Sequence, residues 1–263
     1  MKSKRVVVVS DLHCGSRVGL TPPAFNPKSE KGSKFYEARA DTWDWFSKQI
    51  KSLGPIDALI ANADLIEGKG VRSGGTELIT ADRKEQAEMA SAVLLSTKAR
   101  NIFISYGTSY HTGSEEDWED WVAMEVGARK IGSHDWLDVN GLVFDYRHHI
   151  GGSSIPHGRM TAIARERLWN VLWNEHGAFP KADVIIRSHV HYHVFCGGPG
   201  WLAMTTPALQ WHGSKFGSRQ VSGTVDFGFV SFDVTSKEEF SWQSHLLLPN
   251  GTHRITPYKL SRT

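Results

Sequence analysis

Five short stretches concentrate side chains able to hold a cation or carry a proton: Asp11-Leu12-His13, Asp64 with Glu67, His111 in YGTSYHTG, His148-His149, and His189-Val190-His191. Each follows an apolar run. In open α/β sheets functional groups gather beyond the carboxyl ends of the strands, where such loops can converge. One Asp-x-His or one histidine carries little weight, because a lone histidine is usually a surface or satisfied core residue. In RSHVHYHVF, however, His189, His191 and His193 alternate, and alternation is the strand period that sets three imidazoles on one face. Neutral imidazole is the commonest protein ligand, so the triplet and its companion loops point to metal.

The elements that must position these loops are readable in outline. Residues 6–9 in RVVVVSDLH suit a strand buried on both faces. Trp43, Phe46, Ile50 and Leu53 predict a helix over 34–53, ended by Gly54-Pro55. DALIANADLIEG reads as strand and loop, 82–98 as a helix with Met89, Ala90, Val93 and Leu94 inward, and NIFIS at 101–105 as a strand. Ser114 with Asp117 is a capping signature for a helix carrying Trp118, Trp121 and Val122. Asn140-Gly141 is a two-residue hairpin signal. A helix near 160–176 is expected with Ala164, Leu168, Val171 and Leu172 inward, and strands at 183–187, 191–196, 201–205, 224–233 and 240–247. Parallel βαβ units followed by antiparallel strands predict an α/β fold of two mixed sheets with helices outside. No repeat, low-complexity tract or linker divides the chain, so 1–263 reads as a single domain.

Composition narrows the function classes. A net charge of 30 − 28 = +2 recommends neither a nucleic-acid nor a membrane surface through bulk field, although it permits a local basic groove. Two cysteines do not make a disulfide framework, which suits a reducing compartment. The apolar run behind the basic N-terminus is too short for a signal peptide, and no window is long enough to span a membrane. The expectation is a cytoplasmic protein.

With SDLHCGS, GTSYHTG, DWEDWVA and TTPAL beside them, the five loops make the chain resemble the calcineurin-like metallophosphoesterase superfamily. The motifs of that superfamily run D-x-H, G-D-x-x-[DE], G-N-H-[DE], a lone His and G-H-x-H. They stand in that order from Val6 to Pro207, and the details look most like phage and prophage members, which would place the protein in a host cytoplasm. The resemblance implies a four-layer α/β/β/α sandwich of two mixed β-sheets flanked by helices, and two divalent metal ions. It implies that Asp11, His13 and His191 hold the first ion and that Asp64 bridges both. His189 with one of His148 or His149 would hold the second, and His149 is preferred. The chemistry implied is hydrolysis of a phosphodiester, in nucleic acid or a nucleotide, by direct attack of a metal-bridged hydroxide. Mixed imidazole and carboxylate ligands suit manganese, iron, zinc or nickel better than magnesium, and manganese is taken first.

Three positions depart from the family pattern. Ala63 replaces the glycine before the bridging aspartate, and Ser188 the glycine of the last motif. The asparagine that usually binds the second metal is absent: Thr108 follows Gly107, and His111 comes three residues later. His111 either keeps the family's acid-and-phosphate role, the assignment preferred as catalytic, or replaces the missing ligand. Glu67 reads as an outer partner of the ligands, with Thr108 and His148 beside them. Lys69 and Arg72 in KGVRSGG read as a substrate loop, and equally as a solvated turn. His193 reads as rim, Cys14 as a packed small residue, and most tryptophans as core-facing rather than base-stacking. Two rival functions stay open. One is a phosphomonoesterase or phosphoprotein phosphatase, although the D-R-G of Ser/Thr phosphatases is replaced by Gly68-Lys69-Gly70. The other is a catalytically weak binding scaffold, suggested by the lost asparagine and opposed by the six retained ligand types.

Overall fold

The computed structural model describes residues 2–113, 117–213, 223–249 and 257. β1 (Lys4–Val9) is the valine run, and β2 (Ala58–Ala61), β3 (Ile102–Ser105) and β4 (Lys130–Gly132) add beside it in parallel. The helices between these strands are α1 (Lys34–Leu53), α2 (Arg83–Ser96), the single turn α3 (Ser109–Thr112) and α4 (Trp118–Glu125). Asp117 caps α4 by accepting from the Glu119 N–H; Ser114 of the expected capping signature lies outside the described residues.

The second sheet begins with the hairpin of β5 (Asp135–Val139) and β6 (Leu142–Tyr146). Its two-residue turn places Asn140 at φ 53 and Gly141 at φ 86, the pair of positive angles that an Asn-Gly hairpin demands. α5 (Arg159–Glu175) crosses to β7 (Val184–Arg187), and β8 (Val194–Gly198) and β9 (Trp201–Thr205) complete the sheet in the order β5-β6-β7-β9-β8. The chain then returns to the first sheet through β10 (Phe227–Val234) and β11 (Phe240–Leu247), giving β11-β10-β1-β2-β3-β4. Both sheets are mixed.

Strand alternation explains the layering. Val7 and Val9 face outward with Leu59, Ile102 and Ile104 against Phe46, Ile50, Val93, Leu94 and Val122 of the helices. Val6 and Val8 face inward with Ile60 and Phe232, and pack on Phe144, Tyr146, Val184, Ile186 and Met204 of the second sheet. On that sheet's far side Ile185 and Ala203 meet Ile163 of α5. The result is the expected α/β/β/α sandwich.

Two local expectations fail. Residues 191–193 are not strand: β8 starts at Val194, and His189 and His191 take φ 73 and 55. Alternation there reflects a left-handed turn that aims imidazoles, not a pleat. α5 is also turned over. Its buried residues are Ile163 and Asn170, whereas Ala164, Leu168 and Leu172 are exposed, together with Trp169 and Trp173, which therefore do not face the core. Polar anchors on the inward side, described below, decide its orientation.

Candidate metal centre

The carboxyl ends of β1, β2, β6 and β7 open toward one point. Asp11 and His13 leave β1, Asp64 leaves β2, His148 leaves β6, and His189 and His191 leave β7. Ligand atoms of Asp11, His13 and His191 lie within 4.8 Å of one another, as do those of Asp64, His148 and His189. A third group joins His13, Asp64 and His111 on the same terms. Asp64 belongs to two of these groups, so one carboxylate faces both halves.

Backbone strain makes the convergence local. Asp11, His13, Ala63, Asp64, His189 and His191 all have φ between 45 and 73, a region that costs L-residues about 1–2 kcal/mol each. Such angles persist where surrounding structure over-determines them. Here the Asp11 N–H donates to Ala63 O, the His13 N–H to Asp64 O and the Leu209 N–H to Asp11 O, clamping the first two loops. Ala63 thus occupies the left-handed conformation that a glycine adopts without strain.

Each side chain is then held by an outer partner. His148 Nδ1–H donates to Asn62 O at 2.8 Å, leaving Nε2 toward Asp64 Oδ2 at 2.9 Å. His13 Nδ1 faces Glu67 Oε2 at 2.9 Å, and Gln210 Nε2 donates to the same oxygen. His111 Nδ1–H donates to Glu67 O at 2.9 Å, which fixes its tautomer and leaves Nε2 with a free lone pair. Thr108 does not extend to the centre as the missing asparagine would. Its N–H and hydroxyl donate to Asp64 Oδ1 at 2.8 and 3.1 Å. Asn62 ties the sheets together, donating to Ser188 Oγ and Arg147 O while accepting from Ser105 Oγ.

The electrostatics fit a cation. Burial opposes the charge on Asp11, yet His191 and His148 pull its carboxyl down to about 2. Burial likewise opposes charge on Asp64, and His148 and His189 hold it well below the usual range. Burial disfavours the His148 imidazolium, but Asp64 and Asp11 push its pKa up to about 10. His111 goes the other way, lowered by burial and by His13. Asp11 Oδ1 and His148 Nε2 are buried and meet only an opposed charge each, His191 Nε2 at 3.2 Å and Asp64 Oδ2 at 2.9 Å, without a well-aligned hydrogen bond, and His13 Nε2 stands 3.2 Å from His191 Nε2. Buried carboxylates and imidazoles left open toward each other are the donor set of a divalent ion.

His149 is not among these groups. It is exposed, with its ring 4.8 Å from that of His189, so of the adjacent pair it is His148 that meets the carboxylates. His193 is directed elsewhere, its Nδ1–H on Thr205 O at 2.7 Å. Lys69 and Arg72 are exposed, and Arg72 stacks 4.5 Å over the Tyr110 ring, next to His111. Glu119 was not singled out by sequence. It is fully buried, accepts from Leu65 N–H and Gly107 N–H, and so joins the loops after β2 and β3. A carboxylate placed inside DWEDWVA, on a helix face otherwise apolar, is the signal that could have found it.

No family model matches the chain, and no curated protein sequence matches it. Among solved structures it is similar to Vps29 complexed with zinc from Entamoeba histolytica, at 14% identity over 94% of each chain with a TM-score of 0.50. It is also similar to an archaeal phosphodiesterase, at 13% identity over 92% of this chain and 99% of that one, TM-score 0.44. A Streptococcus pneumoniae protein described as a predicted phosphoesterase aligns at 9% identity over 93% and 99%, TM-score 0.39. The shared architecture is the metallophosphoesterase-like α/β fold.

Proposed function

We propose that the chain is a metal-dependent phosphoric ester hydrolase that cleaves phosphodiesters. The observation that carries this reading is the convergence of Asp11, His13, Asp64, His148, His189 and His191, with Asp11 Oδ1 and His148 Nε2 buried and facing only the other members of the cluster. Asp11, His13 and His191 would hold one divalent ion, His148 and His189 a second, and Asp64 both. Bound there, two such ions would supply Lewis-acid stabilisation of attacking and leaving oxygens and a water ionised near neutral pH. Manganese fits the mixed donors, as do iron, nickel and the zinc carried by the Vps29 structure.

The chain's own contribution is to orient and to exclude. Thr108 occupies Asp64 Oδ1, Glu67 aims His13, and Asn62 aims His148. His111 fits the role of replacement ligand better than that of acid, because its proton sits on Nδ1 and its charged form is disfavoured. Arg72, stacked on Tyr110 beside His111, and Lys69 in the same loop would offer cations to a longer phosphodiester such as a nucleic-acid strand. The apolar cluster shared by both sheets supports one domain over 1–263, and the free thiols of Cys14 and Cys196 suit a cytoplasmic location.

The test is reconstitution. Metal-stripped protein is loaded with manganese, nickel, zinc or magnesium and assayed on bis-(p-nitrophenyl) phosphate and p-nitrophenyl phosphate. The expected result is faster diester turnover with manganese and loss of both ions in Asp64→Asn. Preference for the monoester would transfer the reading to a phosphomonoesterase. Tight metal binding with no turnover on either ester would make the fold a scaffold.

A further inference from the structure

An amphipathic helix on a sheet normally buries its apolar stripe, and α5 does the reverse. Its inward side carries Ile163 but is otherwise held by polar anchors. Glu166 Oε2 accepts from Arg147 Nη2 at 2.9 Å and from Arg187 Nε at 2.8 Å. Arg167 Nη1 donates to Ala182 O at 2.8 Å. Asn170 donates to Pro180 O and accepts from the Ala182 N–H, both at 3.0 Å. Arg187 is only 2% exposed and keeps Asp145 at 2.7 Å, but rolling the helix over would take Glu166 from it and from Arg147, and break the bonds of Asn170 and Arg167 as well. The orientation is therefore set by the chain itself.

What it leaves outside is an apolar stripe, whose Trp169 and Trp173 also border the cleft over Arg147 and Arg187. Met160, Leu168, Trp169, Leu172 and Trp173 are 46%, 54%, 52%, 41% and 47% exposed, and the small Ala164 is exposed between them. These side chains lie in rows four residues apart, the ridges that interdigitate when two helices pack. Trp173 is already braced by Phe179, ring centroids 5.2 Å apart. A pre-ordered aromatic anchor of this kind is typical of interface hot spots.

We propose that this face of α5 is a two-fold interface with a second copy of the chain. The argument for a copy, rather than another partner, is self-complementarity about Asn170. Leu168 and Leu172 stand two residues to either side of it, and the exposed, oppositely charged Arg165 and Glu175 stand five residues to either side. An antiparallel copy therefore sets Leu168 against Leu172 of the partner subunit, and Leu172 against Leu168 of the partner subunit. It also brings Arg165 toward Glu175 of the partner subunit and Glu175 toward Arg165 of the partner subunit. One operation pairs the two leucines and both charges, as an isologous interface requires.

Sedimentation velocity of the full chain, from low to high micromolar protein, tests this. The wild type is expected to dimerise. Arg165→Glu or Glu175→Arg alone, each surface substitutions that leave the fold intact by circular dichroism, should weaken the dimer by about tenfold or more. The combined Arg165→Glu/Glu175→Arg chain should recover it, because the charges are exchanged rather than removed. Leu168→Ser should also shift the chain to monomer. A wild type that stays monomeric throughout overturns the proposal, including a monomer that instead co-sediments with phosphatidylcholine/phosphatidylglycerol vesicles through the same stripe. A dimer indifferent to all of these substitutions overturns it equally.

Discussion

At the carboxyl ends of the strands, Asp11, Asp64, His13 and His148 are at most 2% exposed, while on the outer face of α5 Leu168 and Trp169 are about half exposed. Both regions invert the usual partition of polar and apolar groups. In the first the inversion is answered within the chain by opposed charges at 2.9–3.2 Å, and it leaves ligand atoms open toward one another. In the second nothing within the described chain covers the stripe. A departure from ordinary burial is thus the ground of both proposals: a small cation in one case, a large surface in the other.

The comparison can be broken most forcefully at His111. As a ligand, His111→Ala should lower metal content and slow p-nitrophenyl and alkyl esters alike. As an acid, it should keep its metal and lose about 10²–10⁴-fold on the alkyl ester alone. Stopped-flow rates with metal analysis on the same sample separate the two. Next in size is the hidden side of α5. Glu166→Gln removes the carboxylate shared by Arg147 and Arg187 and should cost about 3 kcal/mol in urea unfolding; a change within experimental scatter would mean that Asp145 alone satisfies Arg187.

A smaller effect should appear with pH. The His148 pKa is raised from 6.5 to about 10 in the folded chain. Its ion pairing therefore contributes stability that is complete below pH 6.5 and is lost as pH rises through about 10. In chelated protein the melting temperature should fall across that window, more steeply than in His148→Gln. Parallel curves for the two proteins would remove this pair from the account. The smallest expected change is a gain: Ala63→Gly should relieve a left-handed residue and stabilise the chain in urea unfolding by about 1 kcal/mol less the glycine's unfolded-state freedom; a loss of stability would show that Ala63 carries no strain.

What the sequence made legible follows from periodicity and chemistry. Four valines, NIFIS and Asn140-Gly141 each have one plausible backbone state, and the strands and hairpin stand where those patterns put them. Asp11, His13, Asp64, His189 and His191 carry ligand chemistry and do converge. Which of His148 and His149 turns toward the carboxylates was not legible, because it depends on Asn62 O, contributed by the loop after β2, 86 residues away in the chain. The facing of α5 was hidden for the same reason. Leu168 and Leu172 look like core until Arg187 and Arg147 are known to lie beneath Glu166. Local patterns fix an element, whereas a distant polar partner fixes which way it turns.

One feature of the centre bears on how the molecule comes to exist. Asp11 accepts from the His189 N–H at 3.4 Å across 178 residues of chain, and the two belong to loops of different sheets. Contacts of such long range form slowly, because their loop-closure entropy is met before they contribute stability. Neither half of the centre is a complete ligand set while the sheets are apart. A cation bound there, as proposed, would act on the finished state alone, adding stability by mass action and slowing the reopening of the two sheets rather than guiding their approach.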